Sequence, residues 1–136
     1  MGASITMAKG ASEAGLFPAV AVIGDSTFTH SGMTGLLDAV NDNASITVMI
    51  LDNNITGMTG GQKSSATGRL EAICMGLGVD PEHIHVLNPL KKYHAENTEI
   101  IKKELAYKGV SVIIPRRDCI VAGARARKEA KKNQAN

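Results

Sequence analysis

Cysteines and aromatic residues are scarce in this chain. Its 136 residues include no Trp, two Tyr, two Phe and two Cys. Cys74 and Cys119 do not form a CxxC pair, and an iron–sulfur cluster is usually held by four thiolates. The chain is therefore not expected to carry a redox centre of its own. Because apolar residues surround both thiols in the sequence, we predict that both are buried and inert.

The chain has neither a large excess of charge of one sign nor a long apolar run. The formal net charge is +2, which is too small to indicate a nucleic-acid partner. No apolar run approaches the roughly 20 residues that cross a membrane, and residues 1–15 have no signal-peptide core. A cytoplasmic location is therefore expected. With 136 residues, 43% of them hydrophobic, the chain is expected to fold as one domain around an aliphatic core.

Positive charge is concentrated near the C-terminus. The segment Arg116–Lys132 holds seven Lys or Arg residues and two acidic residues. We expect residues 1–120 to form the folded domain and residues 121–136 to form a basic helix or tail. A solvated helix or tail is the simpler interpretation of this segment, and docking on an acidic partner is the alternative.

Apolar strands and amphipathic helices alternate along the sequence. The predicted strands span Ala19–Ile23, Ile46–Leu51, His83–Leu87 and Val110–Ile114. The predicted helices span Ser4–Gly15, Met33–Val40, Thr67–Met75 and Ala95–Tyr107. Short, wholly apolar strands are typical of a parallel sheet that is covered on both faces. The fold is therefore predicted to be α/β, a three-layer sandwich with a mostly parallel sheet.

Polar motifs follow the first two predicted strands. Gly24-Asp25-Ser26 follows the first strand, and Asn53-Asn54 follows the second after 26 intervening residues. Ligands of open α/β sheets bind at the carboxyl ends of the strands. Mg²⁺ takes about six oxygens and shares them with phosphates and water. Asp25, the Asn53 amide and the Ile55 carbonyl are thus the predicted ligands of a Mg²⁺ ion that bridges a diphosphate.

The same motifs also have local interpretations. Gly24, Ser26 and Thr27 suit a backbone that approaches a phosphate at the start of a helix. Alternatively, Asp25 and Ser26 cap the next helix, while Asn53-Asn54 forms a turn. The spacing of the two motifs together favours the metal and phosphate interpretation.

The two motifs closely resemble the thiamine diphosphate-binding motif, in which Gly-Asp-Gly is followed further along by Asn-Asn. The segments Gly24–Gly32, Ile50–Asn54 and Met58–Gln62 resemble the alpha subunit of indolepyruvate ferredoxin oxidoreductases. The resemblance runs from Met1 to about Cys119. Ser26 replaces the third Gly of the general motif, as fits the indolepyruvate branch. The family's domain begins before the segment that matches Met1, so we expect the thiamine diphosphate-binding fold without its N-terminal strand.

The resemblance implies further site residues. Thr59 and Gly60 are expected to contact the cofactor, with Gly60 and its neighbour letting the loop 56–62 fold over it. Because histidine is the residue type suited to proton transfer near neutral pH, His30 is the candidate catalytic residue, through proton transfer or binding of the substrate carboxylate. A local hydrogen bond is the alternative role for His30. The three remaining histidines match no metal spacing, and structural or solvent-facing roles are expected for His83, His85 and His94.

The resemblance also implies a larger assembly. In that family the whole enzyme decarboxylates aryl pyruvates oxidatively, forms an acyl-CoA and reduces ferredoxin. Iron–sulfur clusters and the pyrimidine-binding domain are expected only on missing segments or partner chains, so this chain alone is expected to be inactive and to join an oligomer. Two alternatives remain: a subunit of a non-oxidative thiamine-dependent 2-oxoacid decarboxylase, or a truncated assembly domain without catalytic function.

Overall fold

The computed structural model describes residues 1–56 and 62–118. The strands are β1 (Ala19–Gly24), β2 (Ile46–Leu51), β3 (Ile55–Thr56), β4 (Gln62–Lys63), β5 (Ile84–Leu87) and β6 (Val110–Pro115). The helices are α1 (Ala3–Glu13), α2 (Asp25–Thr27), α3 (Met33–Asn41), α4 (Leu70–Gly76) and α5 (His94–Ala106). A π-helical turn, Phe28–Gly32, joins α2 to α3, and short 3₁₀ turns span Pro81–His83 and Lys91–Tyr93.

Within the described residues, four parallel strands form the central sheet in the order β1-β2-β6-β5. Strands β1 and β2 pair along their full length, from Ala19 opposite Ile46 to Gly24 opposite Leu51. A bridge between Asp52 and Arg116 extends the pairing of β2 with β6 past the strand ends. The residues that follow β1 and β2 therefore emerge at the same edge of the sheet, as the sequence predicts. We call this edge the carboxyl edge.

The core between the sheet and the helices is aliphatic, as the composition predicts. Side chains with no exposed surface include Ile5 of α1, Leu36 of α3 and Val48 of β2. Phe28 is an aromatic residue that is also fully buried there. Helix α1 packs closely on α3 because Gly35 has no side chain; a Cβ atom at Gly35 would lie 3.3 Å from Thr6 Cγ2. The three-layer α/β prediction is confirmed.

Most predicted elements lie within a few residues of the observed ones. Strand β2 has the predicted bounds, while β1 and β6 each extend one residue further. Helix α4 begins at Leu70 rather than Thr67, because Gly68 adopts a left-handed φ of 69° that no regular helix contains. Strand β5 begins at Ile84 rather than His83, because Asp80 accepts the Glu82 N–H at 2.9 Å and caps a 3₁₀ turn that includes His83.

The segment 24–32 differs most from expectation. We predict a motif loop there, but the chain is helical from Asp25 onward and passes through the π-helical turn into α3. The C-terminal prediction, a basic helix or tail over 121–136, lies outside the described residues. Among residues 1–56 and 62–118, no helix has the length and apolar character needed to span a bilayer.

Candidate functional site

Asp25 is the first residue after β1 and begins α2 at the carboxyl edge. Its side chain is only 3% exposed, and its Oδ2 atom is buried without a hydrogen-bond partner among the described residues. Leaving a buried polar atom unsatisfied costs about 1–3 kcal/mol, and more for a charged group. A cation at this edge would satisfy that oxygen, which makes Asp25 a candidate ligand.

The capping alternative for Asp25 and Ser26 is not what the structure shows. The residue at the N-cap of α2 is Gly24, with an extended backbone, and no side chain of the described residues caps this helix start. Asp25 lies inside the first turn, with its carboxylate buried. A glycine N-cap keeps side chains away from the first backbone N–H groups, as a phosphate-binding helix start requires.

Ser64 and Ser65 hold the chain that follows residue 61 against the start of α2. The Ser26 hydroxyl donates to Ser64 Oγ at 3.3 Å, and the hydroxyls of Thr29 and Ser65 lie 3.1 Å apart. Ser64 is 5% exposed and also accepts the Ala66 N–H at 3.3 Å. Sequence reasoning missed both serines, although their position after a glycine-rich loop was a usable signal. Thr59 and Gly60, predicted to contact a cofactor, lie outside the described residues.

Asn53 and Asn54 form a tight turn after β2. The Asn53 Oδ1 atom accepts the Ile55 N–H at 3.1 Å, and Asn54 adopts a left-handed φ of 61°. The turn interpretation is therefore correct for the local backbone. It does not exclude a metal role, because an amide oxygen has two lone pairs and Asn53 is exposed at the carboxyl edge.

The oxygen atoms at this edge suit Mg²⁺ better than a transition metal. No group of three or more His, Cys, Asp or Glu side chains that would hold a metal occurs within the described ranges. One carboxylate, one amide and backbone oxygens instead match an ion that keeps its waters and shares substrate phosphates. The residues present therefore fit the predicted ion, with Asp25 as the charged ligand.

A partly buried ion-pair network lies beside the Asn53-Asn54 turn. Arg116 donates from Nε to Asp52 Oδ2 at 2.6 Å and forms two bonds of 2.8 Å to the Glu71 carboxylate. The Arg116 guanidinium lowers the pKa of Glu71, and Glu71 in turn raises the pKa of Arg116 above its usual range. Sequence reasoning missed this network, although Asp52 directly follows one predicted strand and Arg116 lies two residues after another.

His30 lies on the surface of the π-helical turn. The turn fits tightly: a Cβ atom at Gly32 would lie 2.9 Å from both Ile23 Cδ1 and Phe28 Cδ2. At the start of α1, a Cβ atom on Gly2 would lie 2.6 Å from the Ser31 carbonyl oxygen. The His30 side chain itself is exposed, so the scaffold fixes its backbone and leaves the imidazole accessible. π-Helical turns of this kind frequently occur at functional sites.

Cys74 is fully buried in α4, which confirms the prediction of a buried thiol there; Cys119 lies outside the described residues. Burial, with a smaller contribution from Glu71, raises the pKa of Cys74 to about 12. In a Cys119→Ser background we expect Cys74 to react with a disulfide reagent at least about a hundredfold more slowly in the native chain than in guanidinium chloride. Comparable rates would contradict the assignment.

His83 ends the 3₁₀ turn before β5 and His85 is the second residue of β5, so both lie at the sheet edge opposite the candidate site. The Glu104 side chain has no exposed surface; its Oε2 lies 2.8 Å from His83 Nδ1 and its Oε1 lies 2.8 Å from His85 Nε2. The His83 ring also stacks on Tyr107 with ring centroids 3.5 Å apart. Both histidines have structural roles, as expected, whereas no sequence pattern indicated a role for Glu104.

The chain belongs to a class of cofactor-binding domains. The family described as the C-terminal TPP binding domain of thiamine pyrophosphate enzymes matches residues 1–114, and the chain belongs to it. Its curated relatives include an indolepyruvate oxidoreductase subunit IorA from Archaeoglobus fulgidus, 36% identical over 140 positions that span 94% of this chain and 22% of the relative. The subunit of the same name from Pyrococcus horikoshii is 36% identical over 74% of this chain and 16% of its own length. The resemblance to indolepyruvate oxidoreductases is confirmed.

A solved structure supports the fold. The chain superimposes on an X-ray structure described as a thiamin diphosphate-dependent enzyme from Mycobacterium smegmatis with a TM-score of 0.64 and 21% identity. The match covers 86% of this chain and 21% of the other. The chain thus spans about a fifth of the length of these proteins.

Proposed function

We propose that this chain forms the thiamine diphosphate- and Mg²⁺-binding part of an indolepyruvate-type 2-oxoacid:ferredoxin oxidoreductase. The main support is the buried Oδ2 atom of Asp25, which has no hydrogen-bond partner among the described residues and lies at the carboxyl edge of a domain whose family is described as TPP-binding. Asp25, Asn53 and the Ile55 carbonyl would hold the ion. Gly24, Ser26 and Thr27 would contact the diphosphate, and Thr59 and Gly60 would lie over the cofactor.

The chemistry is divided between the cofactor and the chain. When bound, thiamine diphosphate supplies the electron sink that lets a 2-oxo acid lose CO₂. The residues of this chain bind and orient. Asp25 supplies negative charge for the ion, the Gly24 N-cap exposes backbone N–H groups to phosphate, and the Ser64–Ser65 segment holds the start of α2 in place.

The rest of the enzyme would come from other segments or subunits. We infer that these carry the pyrimidine-binding domain, the iron–sulfur clusters and the coenzyme A site, with ferredoxin as electron acceptor. The composition supports this division, because two cysteines do not supply the four thiolates of a cluster. On this account the isolated chain is inactive in oxidative decarboxylation.

Calorimetric titration of the purified chain with thiamine diphosphate, with and without Mg²⁺, tests the proposal. Saturable binding that requires Mg²⁺ is the expected result. A folded chain that shows no binding in either condition would contradict the assignment of a cofactor half-site to these residues.

His30→Ala separates a catalytic role from a binding role. Because the imidazole is exposed and is not among the proposed ligands, we expect thiamine diphosphate binding to change little. Turnover in the reconstituted complex should fall about a hundredfold if His30 acts as a general acid or base. His94→Ala, another exposed histidine, is the matched control and should leave turnover unchanged. Lost binding in His30→Ala would assign His30 a structural role instead.

A further inference from the structure

Arg116 connects three segments of the chain at the carboxyl edge. It follows β6 and donates to Asp52, which lies just after β2. Its two terminal nitrogens both donate to the Glu71 carboxylate in the first turn of α4. The Asp52 side chain has no exposed surface, whereas Arg116 and Glu71 are about one-third exposed. Burying a carboxylate carries a desolvation penalty that pairing offsets, so Arg116 stabilises Asp52 in its buried position.

The Asp52 carboxylate links Arg116 to the Asn53-Asn54 turn through its two oxygen atoms. One oxygen, Oδ2, accepts from Arg116 at 2.6 Å, and the other, Oδ1, accepts the Asn54 N–H at 3.1 Å. The Asp52 backbone is also fixed, because its N–H donates to the Pro115 carbonyl at 3.0 Å. Asn54 has a φ of 61°, a left-handed conformation that costs a non-glycine residue about 1 kcal/mol and persists only where neighbours impose it.

We propose that Arg116 is a positioning residue that acts through Asp52 to hold the Asn53-Asn54 turn in the conformation that presents the Asn53 amide and the Ile55 carbonyl to a divalent cation. The link to the cation depends on the proposed function, whereas the restraint on the turn is a property of the chain alone. The guanidinium fork is essential, because a lysine ammonium does not bond both carboxylates in this geometry.

Amide hydrogen exchange in the metal-free chain tests the restraint directly. In Arg116→Met, exchange of the Asn54 amide should be about tenfold faster than in the wild type, beyond any change shared by the β2 amides. Arg116→Lys keeps the charge beside Asp52 and is expected to fold even if the Met variant does not. It should give a smaller increase at the same amide.

Lys9→Met is the matched control. Lys9 contacts Asp38 at 2.6 Å and also pairs with Asp42, both at the end of α3 that is remote from the site. Its loss removes a cation that bonds two carboxylates, as Arg116 does. We expect no selective increase in exchange at Asn54.

Binding of thiamine diphosphate with Mg²⁺ supplies the second readout. Affinity should fall about tenfold or more in the Arg116 variants, as is common when a residue that orients metal ligands is replaced, and should not change in Lys9→Met. If the wild type does not bind, the proposed function fails, and exchange at Asn54 still decides the role of Arg116. The inference would be overturned if, in both Arg116→Lys and Arg116→Met, the increase in exchange rate over the wild type were no larger at the Asn54 amide than at the β2 amides.

Discussion

Replacing Asp25 with alanine should abolish Mg²⁺-dependent thiamine diphosphate binding without destabilising the free chain. Asp25 supplies the one carboxylate among the proposed ligands, so its loss removes the charge that holds the ion. In the free chain its Oδ2 atom is buried and unsatisfied. Removing it should leave the free energy of unfolding unchanged or raise it by about 1 kcal/mol. Calorimetric titration and urea unfolding of the same preparation measure both effects.

Asp38→Ala is the control for Asp25→Ala. Asp38 lies in α3, in the same run of helix, but its side chain is 57% exposed and pairs with Lys9. Its replacement should leave cofactor binding intact and change stability by less than about 1 kcal/mol. If Asp25→Ala kept wild-type affinity, or unfolded far more easily than Asp38→Ala, the metal assignment would be wrong.

Replacing Glu104 with alanine should lower the free energy of unfolding more than any other substitution described above. The carboxylate has no exposed surface and accepts from two imidazoles at 2.8 Å each, so alanine leaves a cavity and two side chains without their partner. Truncating a fully buried side chain leaves a cavity, and each imidazole that loses its hydrogen-bond partner adds to the cost, so we expect a loss of about 2–5 kcal/mol. The urea concentration at the midpoint of unfolding should fall accordingly.

Glu99→Ala, on the same helix, controls for helix propensity and loss of charge. Glu99 is 76% exposed and its contact with Lys102 at 3.2 Å is open to solvent, so we expect a change of less than about 0.5 kcal/mol. Similar effects in the two variants would contradict a buried structural role for Glu104. Cofactor binding by folded Glu104→Ala should persist, because the Glu104 cluster lies at the sheet edge opposite the candidate site.

The sheet and the location of the site were predictable because both depend on local patterns. Wholly apolar runs such as Ala19–Ile23 specify buried parallel strands, and the carboxyl ends of adjacent parallel strands meet at one edge. The polar residues after each strand are therefore neighbours in space. That step brings Asp25 and Asn53 to one edge without any knowledge of the remaining structure.

The helix that begins at Asp25 could not be predicted in the same way. The segment Asp25–Gly32 is rich in Ser, Thr and Gly, which have low helix propensity. Tertiary packing stabilises it instead: Phe28 is fully buried, and Gly2 and Gly32 allow close approach of α1 and β1. These contacts join positions far apart in sequence, so no local sequence pattern indicates them.

The ion-pair networks were missed for a related reason. Asp52 and Arg116 are 64 positions apart, and Glu71 and Arg116 are 45 positions apart. Their pairing depends on β6 lying beside β2 rather than β5 lying there, and apolar periodicity does not specify strand order. Glu104 was missed because an acidic residue in an amphipathic helix ordinarily faces solvent.

On the proposed function, Asp25, Asn53 and the Ile55 carbonyl would hold a divalent ion next to the diphosphate of the cofactor. Electron–nuclear double resonance of the chain with Mn²⁺ in place of Mg²⁺ is the decisive measurement. With thiamine diphosphate present, we expect ³¹P couplings to the bound Mn²⁺ in the wild type and none in Asp25→Ala. Mn²⁺ that binds without ³¹P coupling in the wild type, or that retains the coupling in Asp25→Ala, would contradict the account.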